Sequence, residues 1–202
     1  MPLQLPPYPI AGLDFGSKLA GTTVLALLSP AGELRLFQSE KKKDADFFLK
    51  TLLRQFLPKK VFIDAPLSLP GVYQKLPGYE DFFYRKADRE LQAMSPLFLG
   101  GLTARAIQLQ HKMLPDKVQF IETYPAGWVR FFGANVQRYR EKAGPSVHFS
   151  EIILDTLPFI TRPFECHNWH QADALIALIS GLRYENQQHS IYGNSAEGQI
   201  VI

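Results

Sequence analysis

Three short apolar runs in this chain each end on an acid. Residues 9–14 close on Asp14 in IAGLDFGS, Val61–Asp64 closes on Asp64 in VFIDAP, and Val118–Glu122 closes on Glu122 in FIETYP. Runs this short, rich in Ile, Val, Leu and Phe and bounded by turn residues, read as buried strands. A fourth acid, Asp173, stands at the head of an apolar helix in HQADALIAL. A carboxylate beside a core is costly to desolvate without a partner. Four of them meeting at one sheet end would repel each other unless cations sat among them. Carboxylates gathered in this way hold Mg²⁺ or Mn²⁺ for phosphoryl chemistry. Asp14, Asp64, Glu122 and Asp173 are therefore the candidate metal ligands.

The order of elements constrains the architecture further. Strands at 9–14, 21–28 and 33–39 are joined by short turns, Ser29-Pro30-Ala31-Gly32 among them, and form an antiparallel meander. Asp44–Phe56 has apolar residues at helical spacing, Phe47 and Phe48 included. The strand ending at Asp64 follows, then an insertion of about 67–101 that holds a helix around Tyr84–Ala93. A helix capped by Thr103 leads to the strand ending at Glu122, and Pro125–Phe132 is a short helix. Residues 133–150 read as a surface excursion, Glu151–Leu157 as helical, Gln171–Asn186 as a strong helix, and EGQIVI as a last strand or tail. This predicts an α/β fold: a mixed sheet of three meander strands plus parallel strands, with helices on both faces. Ligands then gather at the carboxyl ends of the parallel strands, where Asp64 and Glu122 lie.

At 202 residues the chain suits one domain, 1–202. A net charge of +3 is too weak to imply nucleic acid by itself. Cys166 is the sole cysteine, which excludes an internal disulfide and a thiolate zinc cluster and suits a cytoplasmic setting. Cys166, His167 and His170 match no standard zinc spacing. No run has membrane-spanning length, and MPLQLPPYPI lacks the features of a signal peptide.

Each candidate has a plainer alternative. Asp14 could simply receive turn amides, Asp64 could form an Asx-turn, and Asp173 could favour a helix dipole. Glu122 could orient Arg85 or Arg105 instead of binding metal. Asp173 lies three residues after His170, which is read as a ligand or proton shuttle. Ser17, Lys18 and Thr22 sit in a Gly-bearing hairpin suited to cupping phosphate, or in an ordinary tight turn. Arg85 and Arg89, with Asp88 between them, suit a phosphate clamp or a surface ion-pair set. Thr103 and Arg105 follow Gly100-Gly101 at a helix start that suits an anion. Tyr73, Tyr79, Phe82, Phe83 and Tyr84 could stack on bases or pin the insertion to the body. Lys41-Lys42-Lys43 reads as a solvated helix start.

The strand-acid, meander, strand-acid, late-helix-acid pattern resembles the ribonuclease H-like superfamily. His170-Gln171-Ala172-Asp173 resembles the last catalytic helix of RuvC-type junction resolvases. GLDFGSKLAGTT, FIDAPLSLP, RKADRELQAMSP with GGLTARAIQL, IETYPAG, HQADALIAL and EGQIVI together resemble the DUF429 family, nucleases predicted to have a ribonuclease H-like fold. They span about residues 11 to 202. The resemblance implies a metal-dependent nuclease using two Mg²⁺ or Mn²⁺ ions, with catalytic residues Asp14, Asp64, Glu122, Asp173 and His170. Its partner would be nucleic acid, DNA or RNA, and its state a monomer or homodimer. Two rivals stand beside it: a non-catalytic binding domain on the same fold, and an actin- or Hsp70-like nucleotide phosphotransferase. The latter normally needs two lobes and a second phosphate loop.

Overall fold

The structure, a computed structural model, describes residues 3–132, 139, 142, 144–145, 147–157, 159–160 and 166–202. Most of the expected surface excursion at 133–150 lies outside the described residues.

Five strands form one mixed sheet: β1 (Ile10–Asp14), β2 (Val24–Leu28), β3 (Leu34–Gln38), β4 (Lys60–Asp64) and β5 (Gln119–Glu122), in the order β3-β2-β1-β4-β5. β2 is antiparallel to β1 and β3, while β4 is parallel to β1 and β5. The expected meander and parallel strands are therefore present, with β1 central. Every β1 residue is buried, as suits a strand with a helix layer on each face.

Seven helices are described. On one face, α1 (Ala45–Phe56) and α4 (Gly101–Met113) pack over Leu13, Val61 and Ile63. On the other, α5 (Pro125–Phe132), α6 (Val147–Thr156) and α7 (Trp169–Glu185) cover Ile10, Val24 and Phe62. Asp44 caps α1 by accepting from Asp46 N at 2.9 Å and Phe47 N at 3.0 Å. The helical stripe of α1 is narrower than its sequence suggests, because Phe47 is exposed.

Two glycines let α7 lie directly on the sheet. A Cβ on Gly12 would stand 2.1 Å from Ala174 O and 2.3 Å from Leu178 N, and one on Gly181 would stand 2.3 Å from the Phe62 ring. The backbone of α7 thus touches β1, and with α5 and α6 also packed against it Ala172 to Leu182 is buried throughout.

The insertion folds as a 3₁₀ turn at Gly71–Gln74, then α2 (Lys86–Leu91) and α3 (Pro96–Leu99). α2 is shorter than the expected Tyr84–Ala93 helix. Thr103 is not the cap of α4. The chain turns at Gly100, whose φ of 46° suits glycine, and the buried Thr103 hydroxyl donates to Pro96 O at 2.7 Å. The C-terminal run does form a strand, β7 (Gly198–Val201). Its partner is a strand the sequence reading missed, β6 (Ile191–Asn194), in a separate antiparallel pair. A parallel bridge from Val201 to Thr123 docks this pair beyond β5. Among the described residues no helix is long and apolar enough to cross a membrane.

Candidate functional site

Asp14 and Asp64 are in-register partners on adjacent parallel strands. Their Cα atoms share one level of the sheet, on strands about 4.8 Å apart, and their side chains leave the same face. That face is the one α7 covers. Ala174 and Leu178 sit against Gly12, so one helical turn earlier His170 faces the strand end. Four helical residues rise about 6 Å, and the two strand residues from Gly12 to Asp14 rise about 6.6 Å. The match brings His170 Nδ1 to 2.7 Å from Asp14 Oδ2. A carboxylate only accepts, so the neutral imidazole meets it through Nδ1–H and carries its basic lone pair on Nε2.

These groups open into a cavity of about 460 Å³. Asp14, Asp64, Glu122 and His170 line it, as do Ser17 and Thr22 of the β1–β2 hairpin. Ala93, Met94 and Leu99 of the insertion form the facing wall. The insertion therefore does cover the acidic strand ends. Gly16 allows the hairpin to close tightly, since a Cβ there would stand 2.2 Å from Thr22 Oγ1, the atom that accepts from Ser17 N.

Glu122 reaches the cavity differently from the two aspartates. It pairs with Ile63, one position short of Asp64, and so leaves its strand in the alternate phase. Its carboxylate is held by Arg85: Nη2 donates to Oε1 at 2.6 Å and Nη1 to Oε2 at 2.7 Å. Leu67 N donates to Oε2 at 2.9 Å. Arg85 is wholly buried and also grips Asp88, with Nη2–Oδ1 at 2.7 Å and Nε–Oδ2 at 3.0 Å. Burial alone would push the guanidinium down, but bonds and charge from Glu122, then Asp88, hold it above its ordinary value. Burial pushes the Glu122 carboxyl above its usual range, and Arg85 offsets part of that. The geometry is that of an ionised pair, since every Glu122 oxygen accepts from a cationic donor.

Several expected roles are therefore reassigned. Arg85 is not an exposed phosphate clamp, because its donors are spent on two buried carboxylates and on Ser68 Oγ at 2.8 Å. Of the two roles weighed for Glu122, the structure displays the partner of Arg85. Arg89 is exposed and pairs with Asp81 at 2.7 Å. Arg105 binds Asp46 at 2.6 Å and Gly16 O at 3.0 Å, so it braces the hairpin from behind. Lys18 lies 3.1 Å from Asp44. Thr103 is buried, its hydroxyl spent on Pro96 O. Asp173 does not line the cavity. It is one residue, about 100° of helix, away from the Ala174 contact line, and it accepts from Tyr139 Oη at 2.5 Å.

Among the described residues no group of three or more His, Cys, Asp or Glu is placed to hold a metal. The expected four-carboxylate cage is thus not assembled, and the donor set facing the cavity at one level is Asp14 and Asp64. Burial pushes the Cys166 thiol up to about 12.

One contributor went unread in the sequence, and Asp88, read there only within a surface ion-pair set or phosphate clamp with Arg85 and Arg89, is buried. Asp88 lines the cavity while bound to Arg85. Buried Glu197, in the β6–β7 turn, accepts from Gly71 N and Lys86 N, each at 2.9 Å, and so ties the insertion down. No protein-family model matches the chain, and no curated protein matches it.

Proposed function

We propose that this chain is a divalent-cation-dependent phosphodiesterase of ribonuclease H-like fold, acting on nucleic acid as the resemblance to the DUF429 family implies. The strand order β3-β2-β1-β4-β5, with only β2 reversed against its neighbours, supports the fold. The chemistry rests on one observation: Asp14 and Asp64 stand in register at the cavity, with His170 on Asp14.

Mg²⁺ is usually held by one or two carboxylates plus water and substrate phosphate, not by an all-protein cage. Two aspartates at one level suit that mode without Glu122 or Asp173. A cation bound there would polarise the phosphoryl oxygen and lower the pKa of water. Asp14 and Asp64 would keep their charge and orient the scissile group. His170, its Nδ1–H donated to Asp14, would take a proton at Nε2. Met94 and Leu99 would limit water access from the insertion side.

A non-catalytic binding domain is the second reading, favoured by the structural partners that Arg85 and Tyr139 give to Glu122 and Asp173. Thermal unfolding with Mn²⁺ and with EDTA separates the two. A bound cation stabilises the folded state by mass action. Stabilisation of the wild type that Asp14→Asn lacks, together with Mn²⁺-dependent cleavage of labelled DNA or RNA, is expected. No response in the wild type would leave the binding domain.

A further inference from the structure

Of the large hydrophobic side chains exposed among the described residues, five belong to the insertion: Tyr73, Phe82, Phe83, Met94 and Phe98. Phe98 is 64% exposed, Met94 59% and Phe83 52%. Phe83 and Phe98 have centroids 5.7 Å apart, and Tyr84 meets Phe98 edge-on at 6.0 Å. The backbone beneath these rings is pinned. Asp81 Oδ1 accepts from Phe83 N at 2.8 Å and Tyr84 N at 2.9 Å. Ser95 Oγ donates to Phe83 O at 2.5 Å and accepts from Leu97 N at 3.1 Å. The rings are held out on a hydrogen-bonded frame.

Met94 and Leu99 line the cavity, and Phe98 lies between them in the chain. Arg89 and Lys86 on α2 are exposed but paired with Asp81 and Glu90, and the Arg89 guanidinium stands 3.8 Å over the Tyr84 ring. The cavity itself is acidic. A net charge of +3 gives little general attraction for a phosphate backbone. A strand reaching this cavity is therefore best gripped through its bases. Aromatic faces accept any base, provided the base is unstacked from a duplex.

The geometry points to Phe98, flanked by Phe83 and Met94, as a stacking platform for an unpaired base of the strand whose phosphodiester reaches Asp14 and Asp64. This inference rests on the phosphodiesterase reading and adds its substrate class: single-stranded or locally unpaired nucleic acid.

Fluorescence anisotropy with a short labelled oligo(dT), an oligo(U) and a matched duplex tests it, in EDTA and in Mn²⁺. The single strands should bind more tightly than the duplex. Phe98→Ala should weaken single-strand binding about tenfold, the scale of one lost base stack. Phe98→Tyr should retain binding, and Phe47→Ala, an exposed phenylalanine on α1, should leave it unchanged. Duplex preference, absence of strand binding, or equal affinity in Phe98→Ala would overturn the platform. So would a homodimer dissolved by Phe98→Ala with strand affinity intact. Mn²⁺ stabilisation that persists while Phe98→Ala has no effect on binding sinks the platform alone. Stacking without any Mn²⁺ response sinks the phosphodiesterase reading instead.

Discussion

His170 Nδ1 meets Asp14 Oδ2 at 2.7 Å across 156 residues of sequence. The contact exists because α7 lies backbone to backbone on β1 at Gly12, with its N-terminus at the carboxyl end of the strand. It fixes which imidazole nitrogen is basic. It also places that nitrogen on the ring edge away from the carboxylate.

If His170 moves the proton, His170→Ala should lower Mn²⁺-dependent cleavage by roughly 10²-fold or more. The Mn²⁺ shift in melting temperature should survive, because Asp14 and Asp64 remain. A rate within about threefold of wild type would exclude general acid–base work by this residue.

Gly12→Ala tests the geometry from the other side of the contact. Its new Cβ would overlap Ala174 O and the Leu178 backbone, so α7 must move off the sheet. Urea denaturation should show a loss of about 1–3 kcal/mol or more. Activity should fall further than stability explains, since His170 is carried away from Asp14. Unchanged stability would mean that α7 does not sit this close.

Arg85 is the one cation that the described contacts place between two buried carboxylates. Arg85→Met should destabilise by about 3–5 kcal/mol, as expected for breaking a buried ion pair. Adding Glu122→Gln should recover part of that loss, because the stranded charge is removed. A double-mutant cycle by urea denaturation reads the coupling. Additive effects would show that the two side chains do not interact.

Asp44 sets an acid limit on α1. Backbone bonding from Phe47 is the main cause that holds its carboxyl below the ordinary range, with Lys18 and Asp46 N adding to it. Its stabilising contribution is thus complete above the unfolded carboxylate value of about 3.9 and is lost as pH falls through the lower folded value. Asp44→Ala should cost about 1 kcal/mol at neutral pH. The gap to wild type in urea melts should close at strongly acidic pH. A gap that does not change with pH would mean the cap works without its charge.

Much of the fold was legible in local pattern. The apolar runs closing on Asp14, Asp64 and Glu122 are strands, the 44–56 stretch is a helix, and 67–101 is an insertion over the strand ends. β6 was not legible, because Ile191–Asn194 is short, polar at its end, and held by its pairing with β7, by Tyr192 stacked on Phe131 and by Gly193 N donating to Glu90. The cap at Gly100 was hidden too. Thr103 has the right chemistry for a cap, and its burial against Pro96 appears only when α3 folds back on α4.

The residues of the site divide in the same way. Sequence alone determined that acids would stand at the ends of core strands and that a histidine would open the last helix, because hydrophobic periodicity and turn residues act over a few neighbours. Tertiary structure decided which of those acids share a face. A one-residue register offset separates Glu122 from Asp64 and hands it to Arg85, and about 100° of helical rotation turns Asp173 toward Tyr139. Register and rotation follow from close packing between segments far apart in the chain, above all α7 seated on Gly12, and no local pattern encodes them.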